Sequence, residues 1–231
     1  MPAQPIDFRI DNRVGAVVLQ RPAFTTEMLN EFLAALTRAA NEADILVISS
    51  SGEDFSLGRD RQEPRSGAPF DAFKLIAEVN AGLSAFPGIA VSVVRGRAFG
   101  FAVGMIMRTD IAIAAEDARF ALDEVKLGIP PMFIMAEILE QLSPKSALDI
   151  IMSSREFSAA EAREMGLLSR LVPAGELHAA ADELVRQLRE RNPAVLLASK
   201  RYLGSVRQLP PAARGAYALV EQTRFAERSK H

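Results

Sequence analysis

Cysteine and tryptophan are absent from the 231 residues, and histidine occurs only twice. Without cysteine there is no disulfide, no thiolate metal ligand and no cysteine nucleophile. Of the two histidines, His178 lies in a charged helical pattern and His231 is the last residue. Neither is placed as a catalytic base, which argues against a serine–histidine triad and against a histidine metal centre. No apolar run approaches the roughly 18 residues of a membrane span. The opening MPAQPIDFRIDNRVG has no basic stretch followed by an apolar one, so no secretory signal is expected. A net charge of −2, from 27 basic and 29 acidic side chains, gives no basic surface for nucleic acid or an anionic membrane. These absences lead us to expect a soluble, cytoplasmic protein whose acid–base chemistry falls to carboxylates, lysines or tyrosines.

What is present is apolar: 49% of the residues are hydrophobic, enough for a sizeable core. VGAVVLQ (14–20) reads as a strand. Thr25 and Thr26 can cap a helix in which Met28, Phe32, Leu33 and Leu36 recur at helical spacing. ADILVISS (43–50) is a buried strand, and SGEDFSLGRDRQEPRSGAP after it is a long polar loop. A helix over about 70–86 should turn Phe73, Ile76, Ala77, Asn80 and Leu83 to one side, ahead of the strands IAVSVV (89–94), TDIAIAA (109–115) and ARFAL (118–122). This order predicts an α/β architecture. The last third reads as helical: Ser143-Pro144 starts one helix, and SAAE (158–161) is a capping box with Gly166 as the stop. Leu177, Ala181, Leu184 and Leu188 mark a further helix, and Tyr217, Val220 and Arg224 mark one at the end.

Two glycine-bearing turns stand out, FSLGRD (55–60) and RAFGFAVGM (97–105). In each a strand gives way to a turn, and in the second a short apolar helix starts near Gly100. Backbone N–H groups at such places have no intrahelical partner, so two of them converging would hold a carbonyl oxygen that gains negative charge. The same glycines serve equally well for tight turns and close packing.

The succession EDFSLGRD, RGRAFGFAVGM and TDIAIAAEDARFALDEVKLGIPP, with VGAVVLQRP before it and FSAAEAREMGLLSRLVP after it, resembles the crotonase superfamily, the enoyl-CoA hydratase/isomerase family. The resemblance implies an α/β fold of the crotonase (ClpP-like) kind, a spiral of β-β-α repeats forming two nearly perpendicular sheets. Residues 1–173 would form the core with the acyl-CoA site, and 174–231 a shortened C-terminal helical region for trimerisation. It implies an acyl-CoA thioester as substrate, with coenzyme A part of that substrate and no separate cofactor or metal, and a homotrimer or a hexamer built from two trimers. The thioester oxygen would be held by the backbone N–H groups of Arg59 and Phe101, with Phe24, Leu57, Asp60 and Gly100 lining the substrate site.

The same comparison places one acid at Glu124, in FALDEVKLG. It leaves the second acid of family hydratases missing, since Gly104 stands four residues after Gly100. Phe101 also stands where the family usually has glycine, so its ring must point away from the thioester. Arg59 is larger than the usual residue, and its side chain is free in principle to turn toward a CoA phosphate. With one carboxylate, double-bond isomerisation is the expected activity, helped by burial of Glu124 against Ile129, Phe133 or Met135. LGIPP (127–131) is similar to a segment of the hydroxycinnamoyl-CoA hydratase-lyases, which keeps hydration or hydration with cleavage as an alternative. A non-catalytic acyl-CoA-binding protein is a third reading. Asp123 reads as a cap or a solvent-exposed acid, Lys200, Arg201 and Arg207 as surface charges, and Met105, Met107, Met132 and Met135 as core or pocket wall.

Overall fold

In the computed structural model, which describes residues 4–64 and 68–228, the chain opens with a hairpin. β1 (Ile6–Asp11) pairs antiparallel with β2 (Val14–Leu19), and Asn12 and Arg13 between them take φ values of 46° and 62°. Two consecutive left-handed residues give the turn whose twist matches that of the flanking strands. The sequence reading found β2 but not β1, although IDFRID alternates apolar and charged residues as a strand with one face in water does.

From β2 onward the chain repeats one manoeuvre. α1 (Thr26–Glu42) leads to β3 (Ile45–Ser50), and α2 (Pro69–Ser84) to β4 (Ile89–Val94) and β5 (Arg97–Phe99). α3 (Phe101–Met107) then precedes β6 (Ile111–Ala115) and β7 (Arg119–Ala121). β4 and β6 lie in one sheet with β9 (Arg170–Val172), ordered β1-β2-β3-β4-β6-β9, in which every pairing except the first is parallel. β5 and β7 lie in a second sheet with β8 (Glu156–Ser158). Each pass therefore lays a strand in the first sheet, crosses to the second, and returns through a helix. The two earliest passes touch the second layer only through single bridges, Phe24 with Arg59 and Ser56 with Ala98. Strands buried on both faces are almost wholly apolar, as the buried IAVSVV of β4 is, where the single polar side chain, Ser92, shares a hydrogen bond with the Thr109 hydroxyl at 2.9 Å.

The rest of the chain is α4 (Met132–Ile138), α5 (Pro144–Ser153), β8 (Glu156–Ser158), α6 (Ala159–Glu164), β9 (Arg170–Val172), α7 (Leu177–Arg189), α8 (Pro193–Val206) and α9 (Pro211–Arg228). Caps read from the sequence form as expected: Thr25 accepts from Met28 N, Ser143 from Ser146 N, and Ser158 with Glu161 closes a full capping box. α2 departs from expectation at its start. Phe73 is 51% exposed, and the buried face is Ile76, Val79, Asn80 and Leu83. Met132 and Met135 are also exposed rather than core, whereas Met105 and Met107 are buried.

Residues 1–185 form one compact unit and 186–231 another. Within the second, Tyr202 and Tyr217 stack at 5.5 Å between α8 and α9. No helix among the described residues is long and apolar enough to cross a membrane. The expectation about His231 falls outside the described residues.

The core of the first unit is anchored by aromatic contacts. Phe120 stacks on Phe157 at 5.6 Å, and Phe24 meets Phe32 and Phe101 edge-on at 5.9 and 5.2 Å. Phe24 is fully buried at the start of α1. Phe24→Ala is expected to lower unfolding stability by about 3–5 kcal/mol, as deletion of a buried ring does, read by chemical denaturation.

Candidate active site

The FSLGRD segment is a loop by composition, yet it is tied down on both sides. Leu57 N donates to Pro22 O at 2.6 Å, Phe24 N to Gly58 O at 2.8 Å, and Asp60 N to Phe24 O at 2.9 Å. On the other side Ser56 N donates to Arg97 O and Phe99 N to Ser56 O, while Asp54 accepts from both the backbone N–H and the guanidinium of Arg97. Arg97 accordingly holds the Asp54 carboxyl below its ordinary pKa. Gly58 sits at φ +82°, and a Cβ there would lie 2.9 Å from Phe99 O and 3.4 Å from Phe101 N. Only glycine lets this turn press against the amide of Phe101.

The second turn is built the same way. Gly100 N donates to Ala121 O, and Gly100 takes φ +53° and ψ −119° before α3 begins. Phe101 is the first helical residue, so its N–H has no intrahelical acceptor. Among the described residues, neither Arg59 N–H nor Phe101 N–H has a backbone acceptor. The ring of Phe101 is only 8% exposed and packs on Phe24 within the core. It therefore points inward and leaves its own amide uncovered.

Glu124 opens a 3-10 turn (Glu124–Leu127) after β7, and its carboxyl lies directly against Gly100. A Cβ on Gly100 would stand 2.7 Å from Glu124 Oε1, so glycine is needed here for space as well as for backbone angle. Oε2 of Glu124 is buried with no hydrogen-bond partner. Burial raises its pKa above the ordinary glutamate value, helped by the nearby Asp123 charge and opposed by its own backbone N–H and by Arg61. A carboxyl more readily protonated in the folded chain than in the unfolded one binds more protons when native between the two values, so stability falls as pH rises through that interval. Glu124→Gln removes this cost. The variant is expected to melt at a higher temperature than the parent above the raised value, and at the same temperature below the ordinary glutamate range, in thermal scans across pH.

The place of a second acid is held by glycine and is tight. A Cβ on Gly104, one turn beyond Gly100, would lie 3.2 Å from both Ile134 Cγ1 and Arg108 Nη1. Arg108 is the residue that the sequence reading missed: a lone charge ending an apolar run gave no sign that it folds inward. Arg61 was also missed; it forms an ion pair with Asp123, which stands at the N-cap position of the Glu124 turn without a side-chain capping bond.

Other expected site residues fall into two groups. Leu57, Gly58, Arg59, Asp60, Gly100, Phe101 and Glu124 come together at the two turns. Phe24 does not offer a surface: its side chain is fully buried and its N–H and C=O are both engaged by the Gly58 turn, so it supports the turn from behind. The Arg59 guanidinium does not reach outward either. It folds back onto Phe24 O at 2.8 Å and Glu63 at 2.9 Å, which corrects the expectation that it is free for a phosphate. Asp60 accepts from Gln62 N in a local turn. Of the residues expected around Glu124, Ile129 and Met135 are exposed and Phe133 is partly buried against the core. His178 lines a separate cleft of about 140 Å³ with Glu53, Arg95 and Asp117, which shares no residue with these turns.

The two sheets are wound as a spiral that brings the two glycine turns together, with the Glu124 carboxyl against Gly100. The enoyl-CoA hydratase/isomerase family model matches residues 9–225, and the chain belongs to that family. It is 34% identical over 175 residues, 72% of this chain and 68% of the relative, to the Mycobacterium tuberculosis protein named "Probable enoyl-CoA hydratase echA8". It is 28% identical to the hydroxycinnamoyl-CoA hydratase-lyase of Pseudomonas fluorescens, across 88% of this chain and 79% of that one. A Thermobifida fusca structure in complex with CoA superposes with a TM-score of 0.88 at 27% identity, covering 99% of this chain and 95% of that one.

Proposed function

We propose that this chain is an acyl-CoA enzyme that shifts a carbon–carbon double bond from position 3 to position 2 of an enoyl thioester, with Glu124 as its single acid–base group. The observation that carries the reading is the pairing of Glu124, its Oε2 buried and unpartnered beside Gly100, with a Gly104 position that bears no acid and is crowded by Ile134 and Arg108. An acyl-CoA substrate is supported by the CoA and acetoacetyl-CoA complexes of the Thermobifida fusca structures, the latter at 27% identity.

In this mechanism the thioester oxygen accepts hydrogen bonds from Arg59 N–H and Phe101 N–H. The Glu124 carboxylate removes a proton from C2, and the C–H electron pair becomes the enolate double bond with charge on the oxygen. Those two dipoles stabilise the developing charge without reorganising. The dienolate then takes the proton back from Glu124 at C4, the double bond settles between C2 and C3, and the carboxylate is regenerated. A carboxyl whose pKa is raised is a stronger base in its ionised form, as the first step requires.

Hydration, with or without cleavage, is the second reading, and the hydratase and hydratase-lyase names of the relatives favour it. It needs a second polar group for the water, where the structure offers Gly104. The test is a paired assay of purified protein with 3-enoyl-CoA in one cell and trans-2-enoyl-CoA in the other. Conversion of the first with no hydration of the second supports isomerisation; hydration of the second overturns it. We read the assembly as a trimer or hexamer, since α8 and α9 have no buried residue and leave Leu203, Leu219 and Val220 exposed.

A further inference from the structure

α3 ends on a charged group that the isomerase chemistry leaves unused. Arg108 lies one turn beyond Gly104, and its side chain is 3% exposed. Nη1 donates to Gly104 O at 2.7 Å, and Nη2 to Phe133 O at 2.9 Å. Nη2 also meets Glu137 Oε1 at 3.0 Å, and Glu137 is 39% exposed on the solvent side. Nε is buried with no acceptor at all. Residues four apart share a helix face, so Gly100, Gly104 and Arg108 form one line, with the Glu124 carboxyl at its start and a guanidinium leaning back over Gly104 toward it. The position from which family hydratases extend an acid to the acyl double bond is thus backed by a cation.

Burying an ion costs more than its partners return unless its charge and all its donors are met at close range. Here two of the acceptors are neutral carbonyls, the one carboxylate is half in solvent, and one donor is orphaned. Buried orphan donors are rare and call for a ligand or an ordered water. The guanidinium edge that includes Nε is shaped to hold a carboxylate through two parallel hydrogen bonds. Gly104 itself puts no side chain in the way; the cover over it is the buried side chain of Ile134, whose Cγ1 lies 3.2 Å from where a Cβ would stand, so an acyl chain reaches the guanidinium by shifting Ile134.

Resting on the assignment of the acyl site to the Gly100–Glu124 pair, we propose that Arg108 is a specificity residue that receives a carboxylate at the far end of the acyl group, so that the substrates are acyl thioesters of dicarboxylic acids. Glu137 holds the guanidinium in the meantime and competes with that carboxylate.

Saturated probes separate this from the chemistry, because they bind without reacting. Succinyl-, glutaryl- and adipoyl-CoA are compared by calorimetry with butyryl-, pentanoyl- and hexanoyl-CoA, the uncharged acyl groups of equal length. The wild-type protein is expected to bind the carboxylate-ended member at least tenfold more tightly at one of the three lengths. Arg108→Met is expected to erase that preference while keeping the affinity for the uncharged partner, and Arg108→Lys to keep only part of it. Glu137→Gln, a change at a half-exposed residue, is expected to widen the preference several-fold by removing the competitor, and it tests the idea even where Arg108→Met does not fold. Equal binding within all three pairs overturns the proposal, and so does a preference that Glu137→Gln leaves unchanged. If the preference holds but no 3-enoyl thioester turns over, the isomerase reading fails and this one stands; if no acyl-CoA binds, both fail together.

Discussion

Glu124→Gln is expected to lower kcat for double-bond migration by about 10²–10⁴, the range that a positioned general acid–base contributes, with little change in KM. The amide has nearly the same shape as the carboxyl and keeps its place against Gly100, where a Cβ would come within 2.7 Å of Oε1. What it loses is the ability to carry a proton from C2 to C4. The pH profile follows from the direction of the shift. The reaction starts from the carboxylate, so wild-type activity rises with pH through a midpoint above the ordinary glutamate value, because burial disfavours the ionised form. Arg61 favours that form, and Arg61→Met is expected to move the rising limb to higher pH. The residual activity of Glu124→Gln is expected to show no such limb. A variant that keeps wild-type kcat on a 3-enoyl thioester would remove Glu124 from the reaction.

How far the sequence carries toward this site depends on how each piece is encoded. Elements written in short-range patterns were legible: the largely apolar run of β4, the Thr25 and Ser143 caps, and the Ser158–Glu161 capping box all form where their residues announce them. The second sheet was less so, because Phe24 and Ser56 join it by single bridges that leave no periodicity to detect. Phe73 follows the helical spacing of α2 but lies in its first turns, where it is exposed and its ring meets that of Phe133 at 6.2 Å. For the site, the glycine turns pointed to backbone donors, but Glu124 was singled out by resemblance, since a glutamate on a short turn reads locally as surface. Where a long charged side chain goes is the least legible of all. Arg59 and Arg108 both fold back onto backbone carbonyls, at Phe24 and Gly104, and sequence spacing says nothing of that choice.

The backbone donors admit a test of their own. Phe101→Pro is expected to cost about 10²–10³ in kcat, the effect of removing one oxyanion-hole donor. Proline is acceptable at this position for two reasons. Phe101 is the first residue of α3, where the missing N–H belongs to no helical hydrogen bond and the fixed φ of proline suits the helix. The residue before it is Gly100, which has no Cβ to collide with the proline ring. The substitution also removes the ring that packs on Phe24 at 5.2 Å, so it must be read beside Phe101→Leu, which loses the ring and keeps the N–H. Both variants are expected to lose stability in denaturant titrations, whereas only the proline variant is expected to lose the larger part of kcat. Equal kcat values for the two at saturating substrate would mean that the Phe101 amide holds no developing charge. The oxyanion would then need a donor other than the one the Gly100 turn presents.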